Sequence, residues 1–258
     1  MTLIFSDLHL GRDPAGDAAR LADVLDCFVA TSAEAPVTDV VFLGDTFDAF
    51  VDSRLWPPKV VTMWGALVED LRARGAAVTF FSGNHDRWHI GTIHAVTGKE
   101  PARGPQSLTL EGLRCVLSHG DEADVLSAAA RLIKRVSEQR WAAALYRCVL
   151  PFGLAQGVAS LASRTFASGT VQQETVNALR SAAVKQLDDG DVDLVVLGHA
   201  HQAEGTPHGH GAYMNTGDWF RNRTFVRLHE ATATLCAWTD NKIDIRCVLD
   251  PWRTQTTN

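Results

Sequence analysis

The chain has 258 residues, of which 46% are hydrophobic and 21% charged, and its formal net charge is -6. These values exclude a disordered or low-complexity chain, and the acidic balance argues against a long nucleic acid as partner. The length suffices to bury one substantial core.

Five short apolar runs read as buried strands, at residues 2–5, 39–43, 77–81, 114–117 and 193–197, because β-branched and aromatic residues stand there between polar and glycine residues. Each run ends in a polar cluster. The first is followed by Asp7 and His9, the second by Gly44 and Asp45, and the third by Gly83, Asn84, His85 and Asp86. The fourth is followed by His119 and Gly120, and the fifth by Gly198, His199, Ala200 and His201. His9 and Asp45 are 36 positions apart, Asp45 and Asn84 39, and Asn84 and His119 35. A strand, a crossover helix and a return take roughly 30 or more residues, so the clusters recur once per strand. Open α/β sheets carry their sites at the carboxyl ends of strands, where five such ends can converge.

The next interval breaks this rhythm, since His119 and His199 are 80 positions apart. A helical insertion is predicted there, over 122–176. Residues 123–139 have helical character, and Trp141, Leu145, Tyr146, Val149 and Leu150 continue apolar positions at helical spacing until Pro151. Phe152, Leu154, Val158, Leu161 and Phe166 form another apolar face, and a polar helix near 172–187 returns to the sheet. The apolar positions fit equally a helical pair that buries them and a face for an acyl chain or a membrane surface. Arg131 and Arg135 belong to a basic stretch of this segment and, with Arg87, are candidates for contact with a phosphate. Beyond 197, the runs 213–215, 224–228, 232–238 and 243–248 alternate between polar turns, as in an antiparallel sheet packed on the first.

Cys27, Cys115, Cys148, Cys236 and Cys247 are odd in number and mostly lie in apolar runs, which predicts reduced core thiols and a cytoplasmic location. A strand beginning almost at Met1 leaves no room for a secretory signal, and no spanning helix is visible. His89, His94, His208, His210 and His229 lack a strand-end context and read as surface histidines or as support for the site, with His208 and His210 in a glycine-rich turn.

The strand-end clusters supply two carboxylates (Asp7, Asp45), one amide oxygen (Asn84) and four imidazoles (His9, His119, His199, His201). This hard-to-borderline set suits Mn²⁺, with Fe or Zn²⁺ as alternatives, and not a structural thiolate zinc site. Two divalent cations need a shared anionic ligand and roughly three further ligands each, and Asp45 is the natural bridge.

In order and spacing these residues resemble the calcineurin-like metallophosphoesterases, whose pattern D-x-H, G-D-x-x-D, G-N-H-D/E, H and G-H-x-H stands here as Asp7 to His9, Gly44 to Asp48, Gly83 to Asp86, His119 and Gly198 to His201. The resemblance implies an α/β sandwich of two mixed β-sheets flanked by helices, formed by one domain over residues 1–258 with the cap 122–176 inserted in it. It also implies that Asp7, His9, Asp45 and His201 hold one ion, that Asp45, Asn84, His119 and His199 hold the other, and that Asp48 orients a catalytic His85. Within the family the chain is most similar to the UDP-2,3-diacylglucosamine diphosphatase-like branch, because of the insertion and of the following Asn215, Thr216, Gly217, Asp218 and Trp219. That branch implies a role in lipid A biosynthesis. Its substrate is a nucleotide-linked glycolipid whose anhydride is cleaved with release of UMP by a metal-bridging hydroxide, and the cap would touch the inner membrane face peripherally. The best-known members of the branch have arginine where this chain has His85. An imidazole there can protonate an ester oxygen or stabilise charge on a transferring phosphoryl group, so a phosphodiesterase, nuclease or phosphomonoesterase of the same family is the alternative. A non-catalytic metal-binding scaffold is a third reading, and it is disfavoured because no ligand is missing.

Overall fold

The computed structural model describes residues 1–48, 59–86, 90–123 and 169–250. Its elements are strand β1 (Thr2–Phe5), helix α1 (Asp17–Ser32), β2 (Asp39–Leu43), α2 (Lys59–Ala73), β3 (Ala77–Phe81), α3 (Ile90–Thr97), β4 (Gln106–Leu110) and β5 (Leu113–Ser118). A 3₁₀ turn (Asp121–Ala123) and α4 (Gly169–Asp189) precede β6 (Leu194–Leu197), β7 (Glu204–His208), β8 (Gly211–Asn215), β9 (Thr224–His229), β10 (Thr232–Thr239) and β11 (Lys242–Leu249). The five expected strands are all present as β1, β2, β3, β5 and β6.

Two mixed sheets result, one in the order β11-β10-β9-β1-β2-β3 and the other in the order β4-β5-β6-β8-β7. The period of two along each strand explains why they stack. Ile4, Val41, Leu43 and Phe81 face Cys115, Leu117, Leu194, Val196 and Met214 in one buried cluster between the sheets. The alternate residues Leu3, Phe5, Val40, Phe42, Val78 and Phe80 turn to the other side of the first sheet. There they meet Leu21, Val24, Cys27 and Phe28 of α1 and Val61, Trp64, Leu67, Val68 and Leu71 of α2, each set spaced along one helix face. On the outer side of the second sheet, Val116, Val195, Leu197 and Tyr213 pack against Val176, Leu179, Ala183 and Leu187 of α4. Strands buried on both faces read as continuous apolar runs, which is why the sequence revealed them.

Trp64 is fully buried, with its indole set edge-on against Phe42, Phe47 and Phe80 at centroid distances of 5.8, 5.3 and 5.4 Å. Trp64→Ala is expected to cost about 3 to 5 kcal/mol, read as a lower denaturant midpoint at unchanged slope. Phe47 lies only two residues beyond Asp45, so activity should fall with stability.

The assignment of strands to sheets differs from the sequence reading in two respects. β8 runs parallel to β6 and pairs antiparallel only with β7, while β9, β10 and β11 extend the first sheet through the antiparallel pair β1/β9 and do not build the second. An alternating run specifies its buried face but not which edge it joins. The interval from Asn84 to His119 is also not a crossover within one sheet: it holds α3 and the β4/β5 hairpin and carries the chain from the first sheet to the second. The predicted helix near 172–187 is α4. Residues 124–168 of the predicted cap, including Arg131, Arg135, Trp141 and Phe152, lie outside the described residues, as do Arg87, His89 and Cys148. Cys27, Cys115 and Cys236 are buried free thiols and Cys247 is half-buried. Burial pushes the Cys236 thiol up to about 11. No helix of the described residues is long and apolar enough to cross a membrane.

Candidate metal centre

The loops leaving the carboxyl ends of β1 and β2 continue side by side, with Asp7 N donating to Gly44 O (3.1 Å), His9 N to Asp45 O (3.0 Å) and Leu10 N to Thr46 O (2.9 Å). The second sheet joins them from across the sandwich. Gly198 N donates to His119 O (3.0 Å), and His199 N donates to Asp7 Oδ2 (3.1 Å). Asp7, His9, Asp45, His199 and His201 all have positive φ, between 45° and 67°. For residues other than glycine this is costly and persists where the surroundings over-determine it, typically at functional sites. Two glycines let the loops close. Gly44 has φ +90°, and a Cβ there would strike the His119 ring, while a Cβ on Gly83 would strike Asp45 Oδ1.

The candidate ligand atoms gather in three overlapping groups: Asp7, His9 and His201; His9, Asp45 and His85; and Asp45, His119 and His199. His201 Nε2 lies 3.0 Å from Asp7 Oδ1 and 3.1 Å from His9 Nε2, which is itself 3.7 Å from Asp7 Oδ1. His119 Nε2 lies 3.3 Å from Asp45 Oδ2 and 3.2 Å from Asn84 Oδ1. Ligand atoms about 2.1 Å from a shared cation stand roughly 3.0 to 3.4 Å apart, so all of these separations except the 3.7 Å one match cation sites.

Hydrogen bonding tests the fit independently. Asp7 Oδ2 accepts from Ser6 Oγ and His199 N, whereas Oδ1, turned to the two imidazoles, is buried without a hydrogen bond of good geometry. His119 Nδ1 lies 3.0 Å from the carbonyl oxygen of Leu43, which can only accept, so Nδ1 donates. In the neutral ring Nε2 then presents a lone pair to two acceptor oxygens, an arrangement that a cation satisfies. The residues present fit divalent metal.

Both carboxylates are held in their charged form. Burial pushes the Asp7 carboxyl up, but the charge of the nearby His201 outweighs it and holds the group well below the usual carboxylate range. Burial likewise raises Asp45, and His119 and His85 reverse it. His119 is lowered by burial yet raised overall, well above the ordinary histidine value, by Asp45.

His85 stands at the open rim, its side chain 17% exposed, and His201 is 34% exposed. His85 N donates to Asp45 Oδ1 (2.8 Å), Nδ1 is 3.1 Å from Asp48 Oδ1, and Nε2 is 3.7 Å from Asp45 Oδ2. Asp48 therefore stands where it can orient the ring, and Nε2 faces the centre. Burial lowers the His85 pKa, but Asp45 and Asp48 raise it overall.

Several further groups support the site. Asp86 is fully buried and accepts from Thr46 N (3.1 Å), Phe47 N (2.9 Å) and Gly83 N (3.4 Å), tying the loops after β2 and β3 together. Burial and the nearby Asp45 charge push its carboxyl up to about 7. Ser6 links Asp7 to Thr216, whose hydroxyl lies 2.6 Å from Ser6 Oγ. Arg12 Nη2 donates to Asp48 Oδ1 (2.9 Å). Asn215 Nδ2 donates to Gly198 O (2.7 Å), and Trp219 N and Phe220 N donate to the Ser6 and Asp7 carbonyls (3.1 Å each). Thr216 and Trp219 thus brace the loop that carries Asp7. The adjacency of Ser6 to Asp7 and the three-residue reach from Gly83 to Asp86 are local, whereas the other contacts join distant positions. Of the remaining histidines, His94 faces Glu100, His208 faces Asp188 and His229 lies 3.9 Å from Glu111. His210 stands in the β7/β8 turn, and among the described residues none of these four joins a metal-type group.

The sequence matches the calcineurin-like phosphoesterase family over residues 1–203. It is similar to a UDP-2,3-diacylglucosamine hydrolase of Porphyromonas gingivalis, at 26% identity over 89% of this chain and 94% of that protein. It is similar to another of the same name from Ralstonia nicotianae, at 27% identity over 89% of each. Among solved structures, the E. coli phosphoesterase Yfce shares the fold, with TM-score 0.50 and 16% identity over 96% of this chain and 98% of that one. With the family matched over most of its length and a cluster of metal-type side chains at its strand ends, the chain belongs to the calcineurin-like phosphoesterases and is a metal-dependent phosphoesterase.

Proposed function

We propose that the chain holds two divalent ions and hydrolyses a phosphoric anhydride, with a UDP-linked diacylglucosamine as substrate class and UMP as one product. The observation that carries the dinuclear part is the sharing of Asp45 and His9 between neighbouring groups of ligand atoms. Asp7, His9, Asp45 and His201 would hold one ion, and Asp45, Asn84, His119 and His199 the other. When bound, such ions lower the pKa of a nucleophilic water and neutralise charge on the phosphoryl oxygens; Mn²⁺ suits the oxygen and imidazole donors. Asp7 is fixed through Oδ2, which leaves Oδ1 directed inward. His85, held at Nδ1 by Asp48, directs Nε2 toward the centre, where it donates to a phosphoryl oxygen or to the leaving oxygen. The anhydride reading is supported by the two similar hydrolases, each matched along nearly its whole length. His85 supports the second reading, a phosphodiester or monoester substrate, because an alkoxide leaving group gains more from a proton donor than a phosphate does.

Activity on a UDP-linked diacylglucosamine, on bis-nitrophenyl phosphate and on nucleotides decides between them. The expected result is preferred cleavage of the glycolipid with UMP released. Chelation should abolish this activity and Mn²⁺ restore it. Cleavage of the diester alone would overturn the anhydride reading. The cap is proposed to face the acyl chains at the inner membrane surface. Trp141→Ser and Phe152→Ser should then lower activity on the lipidated substrate and spare the soluble diester, since remote binding energy serves only the substrate that has acyl chains. Equal losses on both, with a lower melting temperature, would mark these residues as core.

A further inference from the structure

Arg12 lies on the loop between β1 and α1, three residues beyond His9, and its side chain is 23% exposed. Its Nη2 reaches Asp48 Oδ1 at 2.9 Å. The same carboxylate oxygen lies 3.1 Å from His85 Nδ1 and 3.5 Å from His9 Nδ1, the latter an ion-pair distance without hydrogen-bond geometry. The two imidazoles are edge to face, with centroids 4.9 Å apart, and each directs Nε2 toward the ligand cluster. One oxygen thus stands behind both rings, and the guanidinium stands behind the oxygen.

The arginine is itself held in place. Its Cζ is 5.5 Å from the centroid of Phe220, a ring that also lies 4.3 Å from Arg20 Cζ and 6.2 Å, edge to face, from the His9 ring. Arg20 is pinned by Asp13 and Asp17 (2.7 Å each), and Asp17 also accepts from Gly11 N (2.9 Å). Phe220 N is bonded to the Asp7 carbonyl (3.1 Å). A guanidinium seated on an aromatic face and bonded to a carboxylate loses little further freedom, unlike an ammonium on a flexible stem.

We propose that Arg12 is a positioning residue that holds Asp48 against both His9 and His85, so that one arginine sets a metal-facing imidazole and the imidazole that acts on the phosphoryl group. The proposal rests on the metal and His85 roles proposed above, and manganese binding tests it without turnover. Partners one layer behind metal-facing histidines typically change affinity or activity by about 10- to 100-fold, and Arg12 stands one step further out, so about tenfold is expected.

The test is a double-mutant cycle with Asp48→Asn. Protein stripped by chelator is titrated with Mn²⁺, free ion being followed by electron paramagnetic resonance, and steady-state kinetics are measured on bis-nitrophenyl phosphate. Arg12→Ala is expected to weaken one of the two ions about tenfold and to lower kcat about tenfold at nearly constant KM. Arg12→Lys should fall between wild type and Arg12→Ala, and Arg12→Ala should add nothing in the Asp48→Asn background. A raised KM at unchanged kcat would make Arg12 a substrate contact and overturn the proposal. So would losses that simply add in the double variant, or a lower melting temperature with manganese binding intact. Wild-type protein that binds two ions but cleaves no phosphate ester would count against the proposed function, and the manganese arm would still judge Arg12.

Discussion

Asp45→Ala is expected to empty both metal positions, lowering bound metal from about two ions per chain to well below one and abolishing phosphoester hydrolysis. Asp45 Oδ2 faces His119 Nε2 at 3.3 Å and His85 Nε2 at 3.7 Å, and the residue belongs to two of the three ligand groups. Its removal takes away the one carboxylate common to both proposed ions and leaves the imidazoles around it without their counter-charge. Asp45 Oδ1 also accepts from His85 N (2.8 Å), so the loop after β3 loses an anchor. Elemental analysis after dialysis is the measurement, with Asp45→Asn as the variant that preserves shape. A normal two-ion content in Asp45→Ala would refute the bridging role.

His85→Ala is expected to keep both ions and lose roughly a hundredfold or more in turnover, the scale for removing a general acid or a transition-state donor. The geometry makes this a sharp test, because His85 Nε2 belongs with His9 and Asp45 to a group close enough to share an ion. Three features favour action on the phosphoryl group: the neighbouring Asn84 already offers an oxygen beside His119 Nε2, Asp48 holds Nδ1, and the ring stands at the open rim. Metal content and kcat should therefore separate in this variant. If metal and activity fall together, His85 is a ligand, and the division of roles between it and Asn84 must be redrawn.

Much of the site was legible because its residues follow strands buried on both faces. Such strands leave contiguous apolar runs in the sequence, and the polar clusters that interrupt them stand out. The edge strands of the second sheet do not have this property. β4, at Gln106–Leu110, is largely exposed, and β7 carries Gly205 and Pro207. Both flank the second sheet, where a proline is tolerated because one row of backbone groups meets no neighbouring strand. Neither was anticipated.

From the sequence alone came the set of candidate ligand types, their order along the chain, the five strands that deliver them and the proposal that Asp45 bridges. These depend on local patterns: a period of two within strands, and glycine and polar residues where strands end. Tertiary structure alone decided that β1, β2 and β3 lie in one sheet with β9 to β11, while β5 and β6 lie in the other with β8 parallel to β6. The candidate ligands therefore meet across the seam of a sandwich, where His119 Nδ1 bonds the Leu43 carbonyl and His199 N bonds the Asp7 carboxylate. The supporting roles of Arg12, Ser6, Asp86 and Phe220 were likewise decided in three dimensions. Arg12 meets Asp48 across 36 positions and Ser6 meets Thr216 across 210. Hydrogen bonds and ring contacts between such distant residues leave no periodic trace, because they depend on which loops the packed sheets bring together and not on the spacing of apolar residues along the chain.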